Sequence, residues 1–148
     1  MTLSHEPEMI CIPEGPFTMG TNEVSEESPQ HEVYLNAFEI ARYPLTNLQY
    51  KAFIDANSQH AEPPGWNNRT FPSGKASHPA VAISWYDAQA YVEWLSKESG
   101  KYYRLPTEAE WEKAARGNRD TRAYPWGDEF DPNKCNTIEG GVVGTTPV

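Results

Sequence analysis

The 148-residue sequence predicts an α+β fold with long irregular loops. Three observations carry that prediction. Three helix starts share one capping signature, short apolar runs read as strands, and turn-rich segments without periodicity join them. Thirteen Pro and ten Gly fall mostly between the apolar runs, which keeps the elements short. This length suits one core of ordinary size, so residues 1–148 are read as a single domain.

The opening MICIPEGPFTMG gives a short strand, a turn at Glu14-Gly15-Pro16 and a second strand around Phe17 to Met19, expected to pair as an edge hairpin. Glu23 to Glu32 is acidic and polar, as a solvated loop would be. Val33, Leu35, Phe38 and Ile40 nearly alternate, with one slip that suggests a single bulged strand. The first helix starts at Thr46 with Gln49 as reciprocal cap, buries Tyr50, Phe53 and Ile54, and ends near Asn57. Glu62 to His78 is a polar surface excursion with isolated aromatics. The second helix starts at Ser84 with Asp87, faces Ala88, Tyr91, Val92 and Leu95 inward, and stops before Gly100. The third starts at Thr107 with Glu110, carries Trp111, Ala114 and Ala115 inward, and ends at Gly117 as a left-handed cap. Beyond it, DPNKCNTIEGGVVGTTPV is a run of turns and short extended pieces.

Composition excludes several classes of function. A formal net charge of −9 opposes binding to a phosphate backbone or an anionic membrane. No basic start followed by an apolar stretch opens the chain, and no long apolar run occurs, so a cytoplasmic protein is expected. Cys11 and Cys135 stand in no metal-binding spacing, and His5, His31, His60 and His78 are scattered. These histidines read as surface or hydrogen-bonding residues. Glu108, Glu110 and Glu112 are explained by the helix dipole and the cap before acid/base chemistry is needed. Arg104 reads as an internal partner rather than a carboxylate receptor. Trp85, Trp94 and Trp111 lie in predicted helices, where core packing is the default, while Trp66 alone lies in an evident loop and is the aromatic to watch for a binding role.

RLPTEAEWEKAARG followed by YPWG is more specific than a capping box and a Gly stop require. Together with MICIPEGPFTMG, EVYLNAFEIARYPLTNLQYKAFI and HPAVAISWYDAQAYVEWLS, it resembles the front and middle of a formylglycine-generating enzyme domain, the sulfatase-modifying-factor family. The resemblance spans nearly all of Met9 to Val148. It implies a variant of the C-type-lectin-like fold, here cut short at the C-terminus. It also implies a relationship to oxidases that convert the cysteine of a sulfatase Cys-x-Pro-x-Arg segment to formylglycine, using oxygen and copper held by two thiolates.

The resemblance places those two copper-binding cysteines in a later segment that this sequence does not contain. Neither Cys11 nor Cys135 matches them, so no catalytic residue is assigned and copper binding is not expected. The family's calcium site, an Asn side chain and the following carbonyl, matches Asn136 and Thr137. Gly140 stands where the family has a further Asp, so a weak site is expected. Asn136 as a simple turn former remains open. Functionally, a catalytically inactive piece of an oxidase domain and a non-catalytic lectin-like binding or regulatory module are both compatible. Self-association, or a second polypeptide that completes the fold, is expected to cover the remaining apolar faces.

Overall fold

A computed structural model describes residues 5–148. The chain folds into two compact units. The first consists of residues up to Glu8, Ala41–Leu105 and Asn136–Val148; the second of Met9–Ile40 and Pro106–Cys135.

The first unit is built on helices α1 (Asn47–Ala56) and α2 (Trp85–Ser99). Both begin with the predicted reciprocal caps. Thr46 accepts from the Gln49 backbone while Gln49 reaches back, and Ser84 and Asp87 repeat the arrangement. The helices meet through Tyr50, Phe53 and Ile54 on one side and Tyr91, Val92 and Leu95 on the other, all buried. Gly100 closes α2 in the left-handed conformation at φ 70°, where a side chain would be strained. Glu62 to His78 is far from a loose excursion. The Arg69 guanidinium donates to the carbonyls of Ile54, Asn57 (3.0 Å) and His60 (3.1 Å), satisfying the open end of α1. Trp66, the loop aromatic singled out for a binding role, packs edge-on against Tyr50 and Phe71, at 6.1 and 5.5 Å between ring centres. The reason is area: a loop that must stay close to the core uses its largest apolar side chain as the anchor.

The second unit contains β1 (Met9–Ile12), β2 (Gly15–Met19), β3 (His31–Leu35), most of β4 (Phe38–Ala41) and α3 (Glu108–Arg116). Here the strand pairing corrects the sequence reading. β1 and β2 do not form a hairpin: β1 pairs with β4, and β2 pairs antiparallel with β3, with Phe17 opposite Val33. The slip between Leu35 and Phe38 is a break at Asn36-Ala37 between two strands that take different partners, and not a bulge. Local alternation specifies a strand but not its neighbour.

α3 also departs from expectation. Trp111 is 63% exposed, whereas Glu110 and Lys113 are buried. Backbone surrounds the inner side of this helix. Lys113 Nζ donates to the carbonyls of Pro13 and Gly15 at 2.9 Å each, and Arg116 Nη1 to those of Thr18 (3.2 Å) and Gly20 (2.9 Å). The Glu112 carboxylate accepts from the Gly20 N–H at 2.8 Å. A helix that docks on carbonyls and amides must present polar groups to them, so its tryptophan faces outward. Gly117 ends α3 at φ 83°, ψ −164°, a glycine conformation other than the left-handed cap expected.

Candidate functional site

The predicted calcium residues lie in the loop that follows the second unit. Asn136 is exposed, and its side-chain amide donates to the Gly144 carbonyl (3.0 Å) and to Thr146 Oγ1 (3.1 Å). Thr137 is half-buried; its carbonyl accepts from Gly140 N–H at 3.2 Å, and its hydroxyl oxygen is buried without a partner among the described residues. The oxygens gathered here are uncharged. Among the described residues no cluster of three or more His, Cys, Asp or Glu side chains is arranged for a metal. The donor set therefore suits calcium in type but lacks the carboxylate that gives such sites their strength.

The two thiols occupy different surroundings. Cys11 is exposed on β1, while Cys135 is half-buried and donates its S–H to the Asp131 carbonyl at 3.5 Å. Neither is in a disulfide. Of the carboxylates considered for acid/base chemistry, Glu110 closes the α3 cap by accepting from Thr107 N–H at 2.8 Å, and Glu112 pairs with Arg116 at 3.1 Å.

A second constellation was not found by reading along the chain. His60, just beyond α1, places Nε2 3.0 Å from the Asp87 carboxylate and 3.5 Å from the Tyr50 hydroxyl. Asp87 uses its other oxygen to accept from Ser84 N–H (3.0 Å) and Oγ (2.6 Å). Those Ser84 bonds, more than His60, hold the Asp87 carboxyl below its ordinary range. Burial, helped by the Asp87 charge, pushes the Tyr50 hydroxyl up to about 12. The ring of His60 packs edge-on against Phe53 at 4.7 Å and borders a groove of about 600 Å³ between α1 and α2. Only the capping role of Asp87 was signalled by sequence, since His60 and Asp87 are separated by a loop that gives no pairing cue.

The sulfatase-modifying factor enzyme 1-like domain matches residues 2–143 of this sequence. The chain belongs to that family. A formylglycine-generating enzyme of Thermomonospora curvata is 34% identical over 95% of this chain and 63% of its own length. An inactive C-alpha-formylglycine-generating enzyme 2 of Bos taurus is 32% identical over 89% of this chain and 56% of its own. Among solved structures, PvdO from Pseudomonas aeruginosa aligns with a TM-score of 0.66 at 34% identity, covering 77% of this chain and 49% of that one. CarF, at 20% identity and a TM-score of 0.51, shares the fold. The chain spans less than two thirds of the length of these relatives. Among the described residues of this sulfatase-modifying-factor domain, no helix is long and apolar enough to cross a membrane.

Proposed function

We propose that residues 1–148 form the supporting frame of a C-type-lectin-like formylglycine-generating-enzyme domain and do not oxidise cysteine by themselves. The surroundings of the two thiols carry this reading. A copper grip needs both sulfurs free to turn toward one ion, whereas Cys11 is open to solvent on a strand and Cys135 is engaged with a backbone carbonyl. In the whole enzyme, the proposed substrate is a Cys-x-Pro-x-Arg segment of a sulfatase-type protein, with molecular oxygen as the oxidant and thiolate-bound copper to activate it. The frame's own contribution is to fix α3 on β2 and to tie the 136–148 loop to the Ser77-His78 end of the segment between α1 and α2. That second tie is made by His78 Nδ1 with Thr145 Oγ1 at 2.9 Å and by Val148 N–H with the Ser77 carbonyl at 3.0 Å. Two cysteines without a disulfide support placement in the cytoplasm.

Incubation of the chain with copper, oxygen and a Cys-x-Pro-x-Arg peptide is expected to leave the peptide mass unchanged. Conversion to the aldehyde would overturn this reading. Asn136 and Thr137 form a weak calcium site, a proposal supported by the partnerless Thr137 hydroxyl oxygen. The same preparation should melt at higher temperature only when calcium is in large excess, and Asn136→Ala should remove the effect. Tight binding, or an unchanged response in the variant, would count against it.

The second reading, a non-catalytic binding or regulatory module, is favoured by one observation: two of the relatives, from Bos taurus and Mus musculus, are described as inactive. Specific ligand capture by the chain, with no turnover, would select it.

A further inference from the structure

His78 meets the 136–148 loop in an arrangement that tolerates only the neutral ring. Its N–H donates to the Lys75 carbonyl at 3.2 Å, closing a turn that brings the two side chains together. Lys75 Nζ lies 3.3 Å from His78 Nδ1 and 3.4 Å from the Thr145 carbonyl, while Thr145 Oγ1 lies 2.9 Å from the same ring nitrogen. An ammonium has hydrogens to give and no lone pair, so Nδ1 is the acceptor. The ring proton therefore sits on Nε2, and His78 is uncharged here. α1 fixes the turn in place. Asn47 N–H donates to the His78 carbonyl at 2.9 Å and its side-chain amide to the Lys75 carbonyl at 2.8 Å, and both Asn47 and His78 are buried.

Lys75 is the charged group at the ring. The partners supplied by α1 and by the loop, Asn47 and Thr145, are neutral, and among the described residues no carboxylate pairs with His78. Proton uptake at Nδ1 removes the lone pair on which Lys75 and Thr145 both rest. It also sets a charged ring 3.3 Å from an ammonium, at a residue only 8% exposed, where water screens little. Lys75 must then turn out to solvent, and its bond to the Thr145 carbonyl goes with it. We propose that Lys75, His78 and Thr145 form an acid-sensitive latch, which holds the 136–148 loop closed while His78 is neutral and releases it when His78 gains a proton. The closed loop binds one proton fewer than the open one, so closure is complete at the alkaline end of the imidazole range and is lost as the pH falls. Asn136 spans from this loop's start to Gly144 and Thr146, on either side of Thr145, so release loosens that span as well. The latch consists of this chain's own bonds and acts whether or not the chain turns over a peptide.

The test is an NMR titration of the calcium-free chain from about pH 8 to about pH 5, following the His78 ring and the hydrogen exchange of the loop amides. Protection of the Val148 N–H, which is bonded to the Ser77 carbonyl, should fall about tenfold with the same midpoint as the His78 ring, after correction for the pH dependence of free exchange. Lys75→Met removes the ammonium at a half-buried position and keeps the stem. The protonated ring is then free to donate to Thr145 Oγ1, so the loop should stay protected throughout while His78 still titrates. His78→Gln gains no proton in this range and should show one protection value at every pH. A Val148 protection that ignores the His78 titration, or an acid response that survives in Lys75→Met or in His78→Gln, would overturn the assignment.

Discussion

Lys113 is a charged side chain left 2% exposed, and its position is explained by the two carbonyls to which it donates. Its ammonium satisfies Pro13 and Gly15 at the turn between β1 and β2, so helix and turn are fastened by one side chain. Replacing it with Ala would remove both charge-assisted hydrogen bonds and leave a void where the stem was buried. Lys113→Ala is therefore expected to lower stability by about 3 kcal/mol, read as a fall in the urea midpoint. A loss below half of that would mean that water reaches those carbonyls. Gly20 shows the same dependence on backbone. At φ +78° a Cβ there would lie 2.3 Å from the Glu27 carbonyl oxygen, so no side chain fits. Neither role could be read locally, because a lysine three residues after a capping glutamate looks like an ordinary solvent-facing residue.

The helices were legible element by element. Each of the three caps predicted from an oxygen-bearing residue and its partner three positions on is present, because a capping box is a contact between near neighbours. The packing of α1 on α2 was legible as well, through the spacing of Tyr50, Phe53, Ile54, Tyr91, Val92 and Leu95. That packing has a consequence at alkaline pH. Tyr50 ionises at 10.0 in an unfolded chain but is held neutral to about 12 here. Its contribution to stability is complete below pH 10.0 and is lost as the pH rises to about 12. Tyr50→Phe should flatten that decline in a series of denaturation midpoints. A smaller fall will remain from Tyr91, whose hydroxyl is also raised, by burial and then by Tyr103. An identical pH profile in the variant would show that the Tyr50 hydroxyl is not shielded. α3 was misread in facing, since the 3.6-residue pattern identifies the helix but assumes an apolar neighbour.

Across the molecule, a strong net negative charge coexists with large exposed aromatics: Trp85 (64%), Tyr86 (79%), Tyr102 (83%) and Trp111 (63%). Scattered exposed apolar residues are common, but this many large rings favour association over isolation. Self-association, or capture of a second polypeptide, is the proposed outcome. Light scattering coupled to size exclusion should give a mass above 16.7 kDa that falls on dilution. A stable monomer at every concentration would refute it. The candidate sites were only partly legible at this scale. Asn136 and Thr137 came from motif resemblance, whereas the His60–Asp87 pair needed the chain to be folded.

The sequence by itself determined the family, the three capped helices and the α1–α2 core, because capping and helical periodicity act between residues a few positions apart. Only the tertiary structure decided which strands pair, why Trp111 faces outward while Lys113 is buried, and that His60 meets Asp87. Those outcomes depend on partners dozens of residues away, and the free energy of burying a backbone carbonyl or a carboxylate is set by whatever the fold brings beside it.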